Sequence, residues 1–204
     1  MKLPTSPLQL VSHYFQRGYF PLNAQEAEAL AAYCTRRQIK RRQLLLQTGE
    51  ICRHVYFVVA GCLRLYAVDT GGKAHNLQFA VENEWLSDLA SFYAEQPSGV
   101  FIEALESTSV LQISHDDLLD LFVRFHKFDR NFRILIERQY LQLQDRLLQS
   151  ISTPAEARYR AFLAQYPHWA ARLPNTQIAA YLGITPEFLS KIRRDQASAH
   201  RRQP

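Results

Sequence analysis

The side chains best suited to chemistry lie between Asn175 and Arg194. Glu187, Ser190, Lys191 and Arg194 recur at steps of three and four residues, so a helix would place them on one face. Arg and Lys donate to guanine edges in the DNA major groove, Glu accepts from cytosine, and Ser does either. Thr176 and Gln177, at the start of a preceding helix, are of the type that holds backbone phosphate. The residues between these groups meet the demands of a helix-turn-helix. Ala179 is small where two helices cross, and Gly183 tolerates the positive φ of a tight turn. Ile178, Leu182, Ile184, Leu189 and Ile192 point inward. Thr185 can cap the second helix, Pro186 suits its first position, and Glu187 suits its positive end. An ordinary helical hairpin with a polar outer face is the alternative. It leaves this coincidence of features unexplained.

No comparable constellation supports catalysis. The chain has no Walker loop, no H-E-x-x-H zinc helix and no nucleophile motif, so an enzyme is not expected. Asp116 and Asp117 are paired carboxylates, but they follow Ser114 as a helix start would. Cys34, Cys52 and Cys62 are an odd, scattered set, which reads as buried thiols rather than a disulfide framework or metal site. His54, His75 and His115 are isolated, so neither a haem ligand nor any other cofactor is expected.

The elements that must position the reader follow from periodicity. Leu8 to Tyr33 is helical, and Asn23 with Glu26 three residues on forms a capping box. The basic run Arg36 to Arg42 reads as a solvated edge between that helix and the first strand, although nucleic acid would also suit it. From Gln43 to Ile113 the chain reads as short strands. These are Arg53–Val59, Cys62–Val68, Lys73–Val81, Val100–Leu105 and Ser109–Ile113, with a hairpin turn at Asp69–Gly72. Strands this short and closely spaced suggest a sandwich or jelly roll. A long helix follows from about Asp129 to Ser150. Phe132, Leu135, Ile136, Gln139, Leu143, Arg146 and Leu147 fall near one face, whereas Ile134, Leu141 and Leu148 lie on others. One stripe is expected to pack on the β domain and another on a partner helix. Thr153 as N-cap, Pro154 in the first turn and Glu156 mark a fresh helix and a domain boundary.

Composition sets the frame. The 204 residues are 47% hydrophobic, enough for a sizeable core. No apolar run approaches the roughly 20 residues of a membrane span. Met1 to Leu10 does not read as a signal peptide, so the cytoplasm is expected. Residues 1–124 hold 11 Lys/Arg and 13 Asp/Glu, while residues 125–204 hold 13 and 6. The basic C-terminal part suits a polyanionic partner.

With these residues in hand, nearly the whole chain resembles the Crp/Fnr family of bacterial transcription regulators. The match is most specific over Ile178 to Arg193, which looks like the branch common in Bacteroidetes. Val58-Val59-Ala60-Gly61-Cys62-Leu63-Arg64 looks like the family's strand–glycine–strand turn. The resemblance implies an α+β chain in three parts: a cyclic-nucleotide-binding-like jelly roll with N-terminal helices over 1–125, a dimerisation helix over 126–151, and a helix-turn-helix domain over 152–204. It further implies a homodimer on a two-fold-related double-stranded DNA operator, with RNA polymerase as a further partner. The effector cassette departs from the family. In Trp85-Leu86-Ser87-Asp88-Leu89, Ser87 stands where a glycine is expected and Asp88 where a glutamate is expected. In Gln96-Pro97-Ser98-Gly99, Ser98 stands where an arginine would grip the cyclic phosphate. Cyclic AMP is therefore not expected to bind tightly, and the effector stays unknown. Asp195 to Pro204 carries no strand pattern, so no wing is expected, and Arg201 and Arg202 suit a phosphate-contacting tail. The competing reading is a small-molecule sensor or interaction module with a vestigial DNA-binding part.

Overall fold

The computed structural model describes residues 7–18 and 20–200. Two helices open the chain, α1 (Pro7–Gly18) and α2 (Ala24–Tyr33). Eight strands follow: β1 (Thr35–Ile39), β2 (Leu44–Leu46), β3 (His54–Ala60), β4 (Leu63–Val68), β5 (Ala74–Ala80), β6 (Trp85–Leu86), β7 (Phe101–Ala104) and β8 (Thr108–Ser114). A short helix, α3 (Leu89–Ala94), interrupts them. The rest is helical: α4 (His115–Arg124), α5 (His126–Ser152), α6 (Ala155–Gln165), α7 (Pro167–Arg172), α8 (Asn175–Leu182) and α9 (Pro186–His200).

The strands form two four-stranded sheets, ordered β1-β8-β3-β6 and β2-β7-β4-β5. Two stacked sheets with non-sequential neighbours make the expected roll. Alternation sets the faces of the second sheet. Leu63 and Leu65 on β4, with Ile102 and Ala104 on β7, are buried. On the opposite face the Arg64 guanidinium donates to Glu103 at 2.6 Å and lies 3.9 Å over the Tyr66 ring. Tyr66 in turn stacks on Phe101. In the first sheet, Phe57 meets Trp85 at 5.1 Å between ring centroids, and Trp85 meets Phe132 of α5 at 5.0 Å. Phe15 of α1 joins the same aromatic cluster against Phe128 and Phe132.

Local chemistry explains the helix ends. The Asn23 capping box is complete: its side chain accepts from the Glu26 amide at 2.8 Å, and Glu26 accepts from the Asn23 amide at 2.7 Å. Lys127 then pairs with buried Glu26 at 2.7 Å. Ser114 caps α4 by accepting from the Asp117 amide, with Asp116 and Asp117 in the first turn. At α6 the expectation fails. The N-cap position is Pro154, no side chain caps the helix, and Thr153 is not its cap. The Thr153 carbonyl instead accepts from Arg158 at 3.0 Å.

The basic run also departs from expectation. Arg36 to Ile39 is not an edge ahead of the first strand but part of β1, paired antiparallel with β8 from Thr35↔Gln112 to Ile39↔Thr108. Within it only Ile39 is buried, and the strand forms an edge of its sheet, where charged side chains deter further pairing. The long helix is 27 residues, slightly longer than its apolar pattern indicates.

By compactness the chain divides into two units. The first holds the chain to Ala67 together with Leu77–Gln139. The second holds Val68–Asn76, the tip of the β4–β5 hairpin, and the chain from Tyr140 onward.

Candidate nucleic-acid interface

The second unit contains the helix-turn-helix. Its core is aromatic. Tyr166 and Trp169 stack at 4.1 Å, and Phe162 and Tyr181 close on them at 5.6 Å from each other. Against this core sit buried Ile178 and Ala179 on α8 and buried Leu189 and Ile192 on α9, with Ile184 between the helices. Leu182 is only half-buried. Gly183 ends α8 at φ +68°, and the amides of Gly183 and Ile184 both donate to the Ala179 carbonyl. A two-residue gap after that stop lets Thr185 cap α9, where its hydroxyl accepts from the Phe188 amide at 3.2 Å.

This geometry sets the outward face of α9. Glu187, Ser190, Lys191 and Arg194 are all exposed. The Ser190 hydroxyl donates to the Pro186 carbonyl at 2.8 Å, so what it offers outward is its lone pairs. Thr176 and Thr185 are exposed at the two helix starts. Gln177 is half-buried and differently placed. The Asn76 side-chain amide donates both to the Gln177 backbone carbonyl at 2.9 Å and to its Oε1 at 3.0 Å. The structure therefore groups the α9 residues on one surface and ties Gln177 back to the hairpin tip. The helix does not end at Arg194 but runs to His200. Arg201 and Arg202 lie outside the described residues.

Sequence reasoning missed the groups that hold this unit together. Arg146 of α5 donates to the Asn76 and Tyr181 carbonyls, both at 2.8 Å, and lies 3.9 Å over the Tyr181 ring. Burial pulls its guanidinium below the usual range, an effect the neighbouring tyrosines oppose. Arg158 donates to the Leu182 carbonyl at 3.2 Å. Two cations thus meet the last carbonyls of α8, where the helix dipole is negative. Arg193 reaches back to Asn175, tying α9 to the start of α8. The available signal was Arg146 itself, a charged residue inside an apolar stripe.

The residues expected to form the effector cassette lie in the first unit. Asp88 caps α3, and its other oxygen accepts from the Ser98 hydroxyl at 2.7 Å. Ser98 is buried and also bonds the Val100 backbone at both carbonyl and amide. Ser87 donates to the His54 carbonyl at 3.1 Å, with the Cys52 sulfur 3.4 Å away. Leu89 opens α3, Gly99 is exposed, and Trp85 belongs to the aromatic core. Asp88 and Ser98 thus satisfy each other, Ser87 is held by the His54 carbonyl, and residues 85–100 contain no Lys or Arg. Cys52 and Cys62 are buried, and burial pushes Cys34 up to about 12.

Along the chain, a β-roll is followed by a long helix and a helix-turn-helix. Known proteins share this arrangement in whole or in part. The model of the cyclic nucleotide-binding domain matches residues 36–125. The anaerobic regulatory protein of Pasteurella multocida is 25% identical over 185 residues, 85% of this chain and 67% of that protein. The transcriptional activator protein FnrA of Stutzerimonas stutzeri is 27% identical over 183 residues, 84% of this chain and 74% of that protein. Among solved structures, FixK2 from Bradyrhizobium japonicum shares the fold with a TM-score of 0.72 at 19% identity, over 82% of this chain and 86% of its own. A CooA mutant from Carboxydothermus hydrogenoformans does so at 0.69 and 17%, over 97% and 87%. Over most of its length the chain is thus similar to transcription regulators of the Crp/Fnr type, with a cyclic nucleotide-binding domain matched over residues 36–125.

Proposed function

We propose that the chain is a sequence-specific regulator that binds a two-fold-related DNA operator as a homodimer, and that its β-roll does not take cyclic AMP. One observation carries the reading of DNA: an N-capped helix, docked on its partner helix through buried Leu189 and Ile192, presents Glu187, Ser190, Lys191 and Arg194 together to solvent. Acceptors dominate the first turn of that face, and cations follow. This is a pattern suited to base edges flanked by phosphate.

Dimerisation is supported by α5. Tyr140, Leu141, Leu143, Leu147, Leu148 and Ile151 are each 57–77% exposed, an apolar surface that a lone helix would leave in water. A second copy of the same helix covers it by coiled-coil packing, and the two α9 helices are then held as a pair for half-sites about one DNA turn apart.

The test is selection of genomic fragments by the purified chain, followed by sequencing. A shared inverted repeat is the expected result; retention of bulk DNA without preference overturns the reading. Lys191→Ala and Arg194→Ala are each expected to weaken binding to the selected fragment by about 1–3 kcal/mol where they touch bases. The loss is measured by fluorescence anisotropy.

A further inference from the structure

The reading face of α9 has an apolar shoulder. Among the described residues of α9, Phe188 is the large apolar side chain left exposed, at 38%, whereas Leu189 and Ile192 are buried. At about 3.6 residues per turn, Phe188 sits about 60° round the helix from Lys191 and about 100° from Glu187. It therefore borders the polar face on one side and Ile192 on the other. Its backbone is fixed, because its amide is the one that Thr185 caps. An aromatic side chain on a fixed stretch of backbone, beside the polar face read as entering the major groove, meets one kind of apolar partner there, the C5-methyl group of thymine.

We propose that Phe188 is a specificity-determining residue that packs on a thymine methyl in each half-site. This rests on the reading of α9 as the recognition helix and adds a base class to it. The flanking polar residues distinguish hydrogen-bond patterns, and Phe188 distinguishes thymine from uracil or cytosine by contact with the methyl alone. Leu189 cannot substitute for it, being wholly buried against α8 and its neighbours.

The experiment replaces each thymine of the selected fragment, one at a time, with deoxyuridine. Binding of the full chain is measured by fluorescence anisotropy. This removes only the methyl and leaves every hydrogen-bonding edge intact. One position per half-site is expected to lose about fourfold in affinity, the worth of one buried methyl-sized group. In Phe188→Ala the same replacement is expected to cost nothing further, while Phe188→Leu retains part of the discrimination. Uracil tolerated at every position, or an equal loss in wild type and Phe188→Ala, overturns the inference. If Phe188→Ala fails to fold, Phe188→Leu carries the comparison: a smaller uracil penalty than wild type supports the inference, and an equal one overturns it. Failure to select any fragment would instead overturn the DNA reading itself.

Discussion

Gly61 shows how one atom constrains the roll. It joins β3 to β4 at φ +106°, and its amide donates to Glu82 at 2.8 Å. A Cβ there would lie 2.4 Å from Thr108 Oγ1 and 2.6 Å from its Cα, and the second contact is backbone that cannot swing away. Gly61→Ala therefore combines left-handed strain with overpacking, and we expect a loss of about 2–4 kcal/mol in urea unfolding. By contrast, Gly183 has open space at its Cβ, so only its φ restrains substitution. At the cassette, Ser98 and Asp88 satisfy each other at 2.7 Å, so a phosphate would have to break that bond and find no guanidinium in return. Titration calorimetry with cyclic AMP is expected to give no heat of binding at micromolar concentrations; micromolar affinity would refute this. These residues were legible as departures in the sequence, because Ser87, Asp88 and Ser98 are types that do not hold a phosphate by themselves. The bond between Asp88 and Ser98 was not legible, since it depends on how the α3 turn brings residues ten positions apart into contact.

Among the elements, those with local signals were readable. The capping box at Asn23, the Ser114 cap and the Gly183–Thr185 turn depend on side chains bonding amides within a few residues, which spacing reveals. Strand β1 was hidden because Arg36 and Arg37 mask a strand whose pairing comes from β8, about seventy residues away. Strand β6 has two residues, too few for any alternation. The N-cap assigned to Thr153 went astray because the helix starts a residue later, with Pro154 itself in the N-cap position. Helix α5 was readable in length, and its several apolar faces now have separate explanations. Phe128, Phe132 and Leu135 are buried, whereas the half beyond Gln139 exposes Leu143 and Leu147. If those leucines meet a second copy, a charge at each must disrupt it. Leu143→Glu with Leu147→Glu is expected to turn a dimer into a monomer in sedimentation equilibrium, with little loss of fold, since both sites are already exposed. A parent chain that is monomeric at micromolar concentration would defeat the proposed assembly.

At the scale of the molecule, the distribution of charge makes the strongest physical claim. Residues 125–204 carry seven more cations than anions, while the front of the chain is slightly acidic. Cations that neutralise phosphates release condensed counterions, so affinity falls with the logarithm of salt in proportion to the phosphates contacted. A single reader helix with Lys191, Arg194 and the polar groups of α8 reaches only a few phosphates, and a pair of readers doubles that number. For a dimer making roughly 6–10 phosphate contacts, affinity is expected to fall about 10³- to 10⁵-fold between 50 and 200 mM salt. The Leu143→Glu, Leu147→Glu chain should show about half the slope on the same fragment, because it presents one reader instead of two. This comparison separates the assembly from the chemistry of the face. A shallow slope in both chains would mean that the basic half does not meet phosphate. A steep slope shared equally by both would mean that DNA is bound without the α5 dimer. Only a steep slope that halves when α5 is charged requires both the reader that α9 presents and the duplication that the exposed leucines supply.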